Sequence, residues 1–210
     1  MKILNLYAGI GGNRKLWGGE HEITAIEYDQ ATADVYKSLF PDDEMIVGDA
    51  HAYLLENYMN FDFIWASPPC PSHSDIRRCG VHAGQYEALY PDMALYQEII
   101  LLKNFASLDT KFCIENVRPY YEPLIKQDFI LDRHYFWSNI DIKPFHKDRN
   151  DIAHQDVNGS HTIYGFNVKN SNIENKKKAL RNMVDPDLGL HILNCSLNIQ
   201  QPVNYGLFAA

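Results

Sequence analysis

Apolar positions follow two rhythms along this chain: short unbroken runs, and longer stretches in which apolar residues recur every three or four positions. Short apolar runs bounded by Gly, Pro, Asn or Asp mark strands, and the longer period marks helices. On that basis strands are predicted near residues 3 to 7, 22 to 26, 44 to 47, 61 to 66, 111 to 115 and 134 to 140. Helices are predicted near 30 to 39, 50 to 57, 92 to 108 and 186 to 197. Regular alternation of the two implies an α/β fold with a mostly parallel sheet covered by helices on both faces. Residues 72 to 90 lack either period and contain two glycines, so a long loop is expected there. Long loops inside compact domains are usually functional or disordered. Residues 141 to 178 are polar, with only Thr162-Ile163-Tyr164-Gly165-Phe166 to bury.

A length of 210 residues is most simply one domain with its own core. The chain has no apolar run of about 18 residues and no basic, then apolar, amino-terminal segment. A cytoplasmic protein with no membrane partner is therefore expected. Cys70, Cys79, Cys113 and Cys195 are far apart and form no Cys-x-x-Cys pair, so neither a disulfide framework nor a metal site is indicated. A formal net charge of −8 argues against a broad, non-specific grip on nucleic acid. It leaves room for local basic faces, at Arg77-Arg78 and at Lys176-Lys177-Lys178 with Arg181, although a solvated charged face is the commoner meaning of such runs.

The chemistry centres on Asp62-Phe63-Ile64-Trp65-Ala66-Ser67-Pro68-Pro69-Cys70, a strand opening onto a rigid loop. Two prolines fix φ and remove two backbone donors, so neither helix nor ladder continues and the thiol is held at a strand's carboxyl end. Open α/β sheets place their ligands there. Alone, Cys70 could be a nucleophile, a metal ligand or an inert small hydrophobe. Its company narrows the choice. The chain begins with a strand and a glycine turn, Tyr7-Ala8-Gly9-Ile10-Gly11-Gly12, where the backbone can approach a ligand closely. Ala25-Ile26-Glu27-Tyr28-Asp29 then ends the second strand in an acid suited to ribose hydroxyls. Glu27 follows the glycines by less than the usual ~20 residues, which fits S-adenosylmethionine folds better than dinucleotide folds. Asp49, after the third strand, suits an exocyclic amine or caps the helix starting at Ala50. Phe112-Cys113-Ile114-Glu115-Asn116-Val117 is a later strand ending in a carboxylate and an amide.

With these pieces in order, the chain resembles the DNA cytosine 5-methyltransferases over roughly residues 3 to 140 and again 177 to 193. The motifs are Leu6-Tyr7-Ala8-Gly9-Ile10-Gly11-Gly12, Glu27-Tyr28-Asp29, Gly48-Asp49, Pro68-Pro69-Cys70 and Glu115-Asn116-Val117. The resemblance implies a Rossmann-like S-adenosylmethionine-dependent methyltransferase fold in one domain over 1 to 210. Residues 141 to 176 would be a reduced recognition region, and 177 to 197 a last motif returning beside the glycine turn. It also implies that Tyr7, Ala8, Gly9, Ile10, Gly11, Gly12, Glu27, Tyr28, Asp49, Ala50, Pro68, Asn182 and Val184 line the pocket for S-adenosylmethionine. Cys70, Glu115, Asn116 and Arg133 would be catalytic, and Ser74, Arg77 and Arg78 would contact the nucleic acid.

The implied reaction explains the set. Carbon 5 of cytosine is a poor nucleophile until a thiolate, here from Cys70, adds to carbon 6. Glu115 would act as the acid at ring nitrogen 3, Arg133 would steady the carbonyl oxygen, and Asn116 would orient the loop or the base. A duplex substrate requires the target cytosine to be flipped out of the stack. Three departures stand against the family pattern. Pro71 follows the cysteine where Gln is usual, only the last arginine of the Gln-x-Arg-x-Arg run survives, at Arg133, and too little chain is left for an independent recognition domain. A compact, phage-like DNA methyltransferase with short or relaxed specificity, or one that borrows recognition from a partner protein, is therefore expected. A tRNA-directed enzyme using the same chemistry and a non-catalytic cofactor-binding module are the alternatives.

Overall fold

The computed structural model describes residues 1–131, 133–145 and 165–199. Seven strands form a single sheet: β1 (Lys2–Leu6), β2 (Glu22–Glu27), β3 (Glu44–Val47), β4 (Phe63–Ala66), β5 (Lys111–Val117), β6 (Phe129–Leu131) and β7 (His134–Ser138). Their order is β3-β2-β1-β4-β5-β7-β6, parallel throughout except for β7, which runs antiparallel to both of its neighbours. The helices are α1 (Gln30–Leu39), α2 (Ala50–Asn57), α3 (Asp75–His82), α4 (Ala94–Phe105), α5 (Lys176–Asn182) and α6 (Pro186–Ser196).

Strand side chains alternate between faces, so each strand serves two cores. Leu4, Leu6, Ile26, Ile64 and Ile114 pack on one face against Leu54 of α2 and Leu95, Ile99 and Leu102 of α4. Ile3, Ile23, Phe63, Trp65, Cys113 and Phe136 point the other way, onto Trp17 and onto Leu188, Ile192 and Leu193 of α6. Tyr36 of α1 covers Ala25 on the α6 side. Each fully buried aliphatic side chain contributes about 1.5–3 kcal/mol, so these two layers hold the sheet against its chain entropy. Asp29 caps α1 through Thr32 N–H, and Asp185 caps α6 with Pro186 in the first turn.

Three features differ from the pattern-based expectation. Residues 72 to 90 are not one long loop, because α3 forms within them. Its glycines, which looked like loop punctuation, do other work. A Cβ on Gly80 would lie 2.4 Å from the Tyr86 ring, and Gly84 closes the helix at φ +70°. The strand β6 is too short to show a period, and the lysine-rich α5 buries only Leu180. The glycine turn after β1 runs on into further turns, in the interval where no helix is predicted. Of the Thr162–Phe166 run, Gly165 and Phe166 alone lie within the described residues, and Phe166 is fully buried beside Val168.

Candidate functional site

Strand order reverses at the seam between β1 and β4, the topological switch point at which open α/β sheets bind ligands. Leu6 pairs with Ala66 and Ala66 with Ile114, so the chain leaves β1 into the glycine turn and β4 into the Cys70 loop side by side. Glu115 sits one residue further along β5, at the same rim.

On the β1–β2–β3 side the turn is wound tightly. Tyr7 and Gly9 take left-handed φ values of +57° and +55°. Nothing lies within 4 Å of a Cβ built on Gly9. Glu27 ties this turn to β2, with Oε2 accepting from Gly9 N–H at 2.9 Å and Oε1 from Asp29 N–H at 3.0 Å. The Tyr28 side chain stands 82% exposed. Asp49 accepts from His51 and Ala52 N–H through Oδ1 alone, so it caps α2 and keeps its second oxygen for a ligand. Ala8, Ile10 and Ala50 are buried beneath. Gly11 and Gly12 serve packing: a Cβ on Gly11 would strike Phe40 at 2.3 Å, and one on Gly12 would strike Met183 at 2.1 Å and the Val184 carbonyl at 2.3 Å. Residues 182 to 184 thus return beside the turn, with Asn182 exposed at the end of α5. Open space over Gly9, a tethered carboxylate and a half-free Asp49 fit an adenosyl group.

A buried acid supports this rim. Glu98 of α4 is 1% exposed and accepts through Oε1 from Tyr7 Oη (2.5 Å) and His51 Nδ1 (2.9 Å). Burial and the adjacent carboxylate push the Tyr7 phenol far up, while the bond to Glu98 raises the His51 imidazole above its ordinary value. Tyr7 is thereby held as a donor. Glu98 falls on the buried stripe with Leu95, Ile99 and Leu102, so a charged residue at an apolar-face position was the available signal for it.

On the other side of the seam, the Cys70 carbonyl accepts from His73 and Ser74 N–H at 3.0 and 3.1 Å and so launches α3. Burial raises the Cys70 thiol first, and the Glu115 carboxylate raises it further; Lys178 and Arg133 pull it back down. Asn116, 2% exposed, donates to the Pro68 carbonyl at 2.9 Å and locks the Pro-Pro-Cys loop onto β5. Glu115, 7% exposed, lies 3.5 Å from His134 Nε2. His134 was not singled out in the sequence and is brought in by the register of β7, whereas Lys178, read there only as part of a basic face, is brought in by the return of α5. Arg133 is exposed, and its carbonyl accepts from Arg118 N–H.

Of the three residues assigned to nucleic acid, Ser74 stands at the N-cap position of α3 and bridges to Pro119. Arg77 donates to the Glu87 carbonyl at 2.9 Å and stacks over Tyr86. Arg78 lies over Tyr120 and 3.8 Å from Asp75. Both guanidiniums are already partnered by aromatic rings. Among the described residues no helix is long and apolar enough to span a membrane, and no cluster of His, Cys, Asp and Glu could hold a metal.

The mostly parallel sheet with its switch point at the β1–β4 seam has the fold of the S-adenosylmethionine-dependent methyltransferases. The model of the C-5 cytosine-specific DNA methylase family matches residues 1–120, more than half of the chain, and the chain belongs to that family of cytosine methyltransferases. Solved structures similar to it include a hypothetical protein of Thermus thermophilus (15% identity, 65% of this chain and 73% of that chain, TM-score 0.45). Another is DNMT2 of Spodoptera frugiperda (27% identity, 55% and 35%, TM-score 0.37). A TehB-like SAM-dependent methyltransferase of Corynebacterium glutamicum is also similar (19% identity, 55% and 54%, TM-score 0.35). The aligned part spans only about a third of the DNMT2 chain. Among curated proteins, none matches.

Proposed function

We propose that this chain transfers a methyl group from S-adenosylmethionine to carbon 5 of cytosine in DNA through a covalent adduct on Cys70, acting as one catalytic unit. The observation that supports this most is the register of β4 and β5, which brings the Pro-Pro-Cys loop and Glu115 to one rim, with Asn116 bonding the loop to β5 through the Pro68 carbonyl. A thiol held neutral by burial must ionise when substrate arrives, its proton leaving to water. Lys178 and Arg133 favour the anion.

The Cys70 thiolate then forms a bond to carbon 6 of the cytosine, and the ring's displaced electron density makes carbon 5 nucleophilic. Glu115 gives a proton to nitrogen 3 as that charge develops, and Asn116 keeps the Pro-Pro-Cys loop at the height this requires. Arg133 faces the carbonyl oxygen. S-adenosylmethionine, which Tyr7, Glu27 and Asp49 would hold, would supply the methyl group as an electrophile. Carbon 5 next gives up its proton to water, the carbon 6–sulfur bond breaks, Cys70 leaves as thiolate and nitrogen 3 returns its proton to Glu115. A cytosine in a duplex must be flipped to reach Cys70.

Residues 141 to 176 leave little chain for base readout, so we assign the enzyme short or relaxed specificity, or recognition borrowed from a partner protein. The test is transfer of labelled methyl to duplex DNA, single-stranded DNA and tRNA, with Cys70→Ser as control. Transfer to DNA that Cys70→Ser abolishes is expected. Transfer to tRNA alone would make this an RNA enzyme, and cofactor binding without any transfer would make it a binding module.

A further inference from the structure

Between β5 and β6 the chain crosses from Val117 to Phe129 without a helix, although parallel strands are usually joined through one. The space left on the α4 side of the sheet is a cleft of about 670 Å³, in the range that holds a small ligand. It is bounded by the segment 118 to 127, by Asp75 and Arg78 of α3 and by Tyr135 of β7.

Its lining has two components. Tyr120 is half-buried, with Tyr121 set edge-on to it at 5.0 Å and 83°, and the Arg78 guanidinium lies 5.9 Å from its ring centre. A second aromatic pair buttresses this from behind: Tyr121 bonds the buried His73 at 2.5 Å, and the Tyr120 N–H donates to the His73 carbonyl. Tyr120 is therefore a platform that the fold holds in place. The other component is charge, three cations (Arg78, Arg118 and Lys126) against two acids (Asp75 and Glu122). Arg118 and Lys126 are exposed, and neither side chain meets a carboxylate or hydrogen-bond acceptor among the described residues. Arg78 is shared with Asp75 at 3.8 Å, a weak exposed pair that a phosphate can displace. Ring platforms interleaved with unpaired cations are what a strand with free base faces requires.

The cleft is also placed for it. Arg118 follows Glu115 by three residues, and Tyr135 pairs with Asn116 across the ladder. The side chains of Glu115 and Tyr135 lie on opposite faces of the sheet, because Tyr135 packs on the α4 face and Phe136, the partner of Glu115, on the α6 face. A nucleotide in the cleft is thus not the target base. It would be a neighbour on the same strand.

Resting on the function proposed above, we infer that this cleft binds an unpaired nucleotide flanking the target cytosine, its base on Tyr120 and its phosphates on Arg118 and Lys126. The protein therefore prefers single-stranded or locally melted DNA to duplex. Base faces inside a duplex are already stacked, so only an unpaired strand can use the ring.

The experiment is fluorescence anisotropy of the full chain, saturated with S-adenosylhomocysteine, on a labelled cytosine-containing single strand, on its duplex and on RNA of the same sequence. Expected is single-strand binding at least about tenfold tighter than duplex binding. It should weaken about tenfold in Tyr120→Ala, the scale of one base–ring contact, and be kept in Tyr120→Phe. The exposed pair Arg118→Gln with Lys126→Gln should lower the log–log salt slope by about 1.4, two single-strand phosphates, without changing cofactor affinity or melting temperature. Equal affinity for duplex and single strand, tighter binding to RNA, or wild-type binding by these variants would overturn the inference. Methyl transfer by the same preparations separates the two claims. Transfer that persists while the variants bind normally removes the cleft alone, and cleft-dependent binding without transfer removes the catalytic reading alone.

Discussion

The two lips of the switch point are built in opposite ways. At the cofactor lip, nearly every polar group is tied down by another part of the fold: Glu27 to Gly9 and Asp29, Asp49 to the first turn of α2, and Tyr7 and His51 to the buried Glu98. At the lip proposed to meet nucleic acid, two cations rest on rings, the half-buried Arg77 on Tyr86 and the exposed Arg78 on Tyr120. Aromatic and hydrophobic side chains there are left in solvent, Ile76 at 76% and Tyr90 at 94%. The first lip is preorganised for one small molecule of fixed shape. The second is proposed to keep weak, exchangeable contacts that a polymer can replace, while Asn116, bonded to Pro68, fixes the Pro-Pro-Cys loop of that same lip onto β5.

The contrast can be broken at its tightest point first. Gly12→Ala would drive a methyl group into Met183 and the Val184 carbonyl. Overpacking of that kind costs about 1–3 kcal/mol, so a fall in melting temperature on the order of 5 °C is expected by calorimetry, with weakened cofactor binding. A matched substitution on the exposed lip, Ile76→Ala, should leave the melting temperature within about 1 °C.

Glu98→Gln sharpens the comparison through pH. The bond to Glu98 raises His51, so the stabilisation from that pair is complete below the ordinary imidazole value of about 6.5 and is lost as pH rises through the raised one. Cofactor affinity followed by calorimetry should fall over that interval in the wild type. In Glu98→Gln it should be several-fold weaker and flat with pH. A pH dependence unchanged by the substitution would show that the pair does not hold the pocket.

The smallest effect lies at the thiol. Glu115 is the second cause of the raised Cys70 value, after burial. Glu115→Gln should shift the pH profile of Cys70 alkylation toward lower pH, while a profile that does not move would place the carboxylate too far from the sulfur to protonate a base bound there.

Much of this was legible in the sequence because it is written in local signals. β1, β4 and β5 are apolar runs stopped by Gly, Pro or Asn, and a run of that kind has few alternatives. α1 and α2 announce themselves through Asp29 and Asp49 as caps. The misread parts owe their form to distant contacts. Gly80 reads as a loop residue until Tyr86 is seen packed on it, and β6 is ordered by pairing with β7 rather than by its own three residues. His134 carries no motif and meets Glu115 only through the antiparallel register of β7. The sequence placed Arg77 and Arg78 near the site, but its one-dimensional order could not show that rings already occupy them.

The most direct measurement uses DNA in which the target cytosines carry fluorine at carbon 5, so that no proton can be lost and the adduct cannot resolve. With S-adenosylmethionine present, a covalent protein–DNA complex should accumulate, and peptide mass analysis should find the added mass on Cys70. Cys70→Ser should form none. A chain that methylates ordinary DNA yet gives no trapped complex, or that is trapped through another residue, would contradict the assignment of Cys70 as nucleophile.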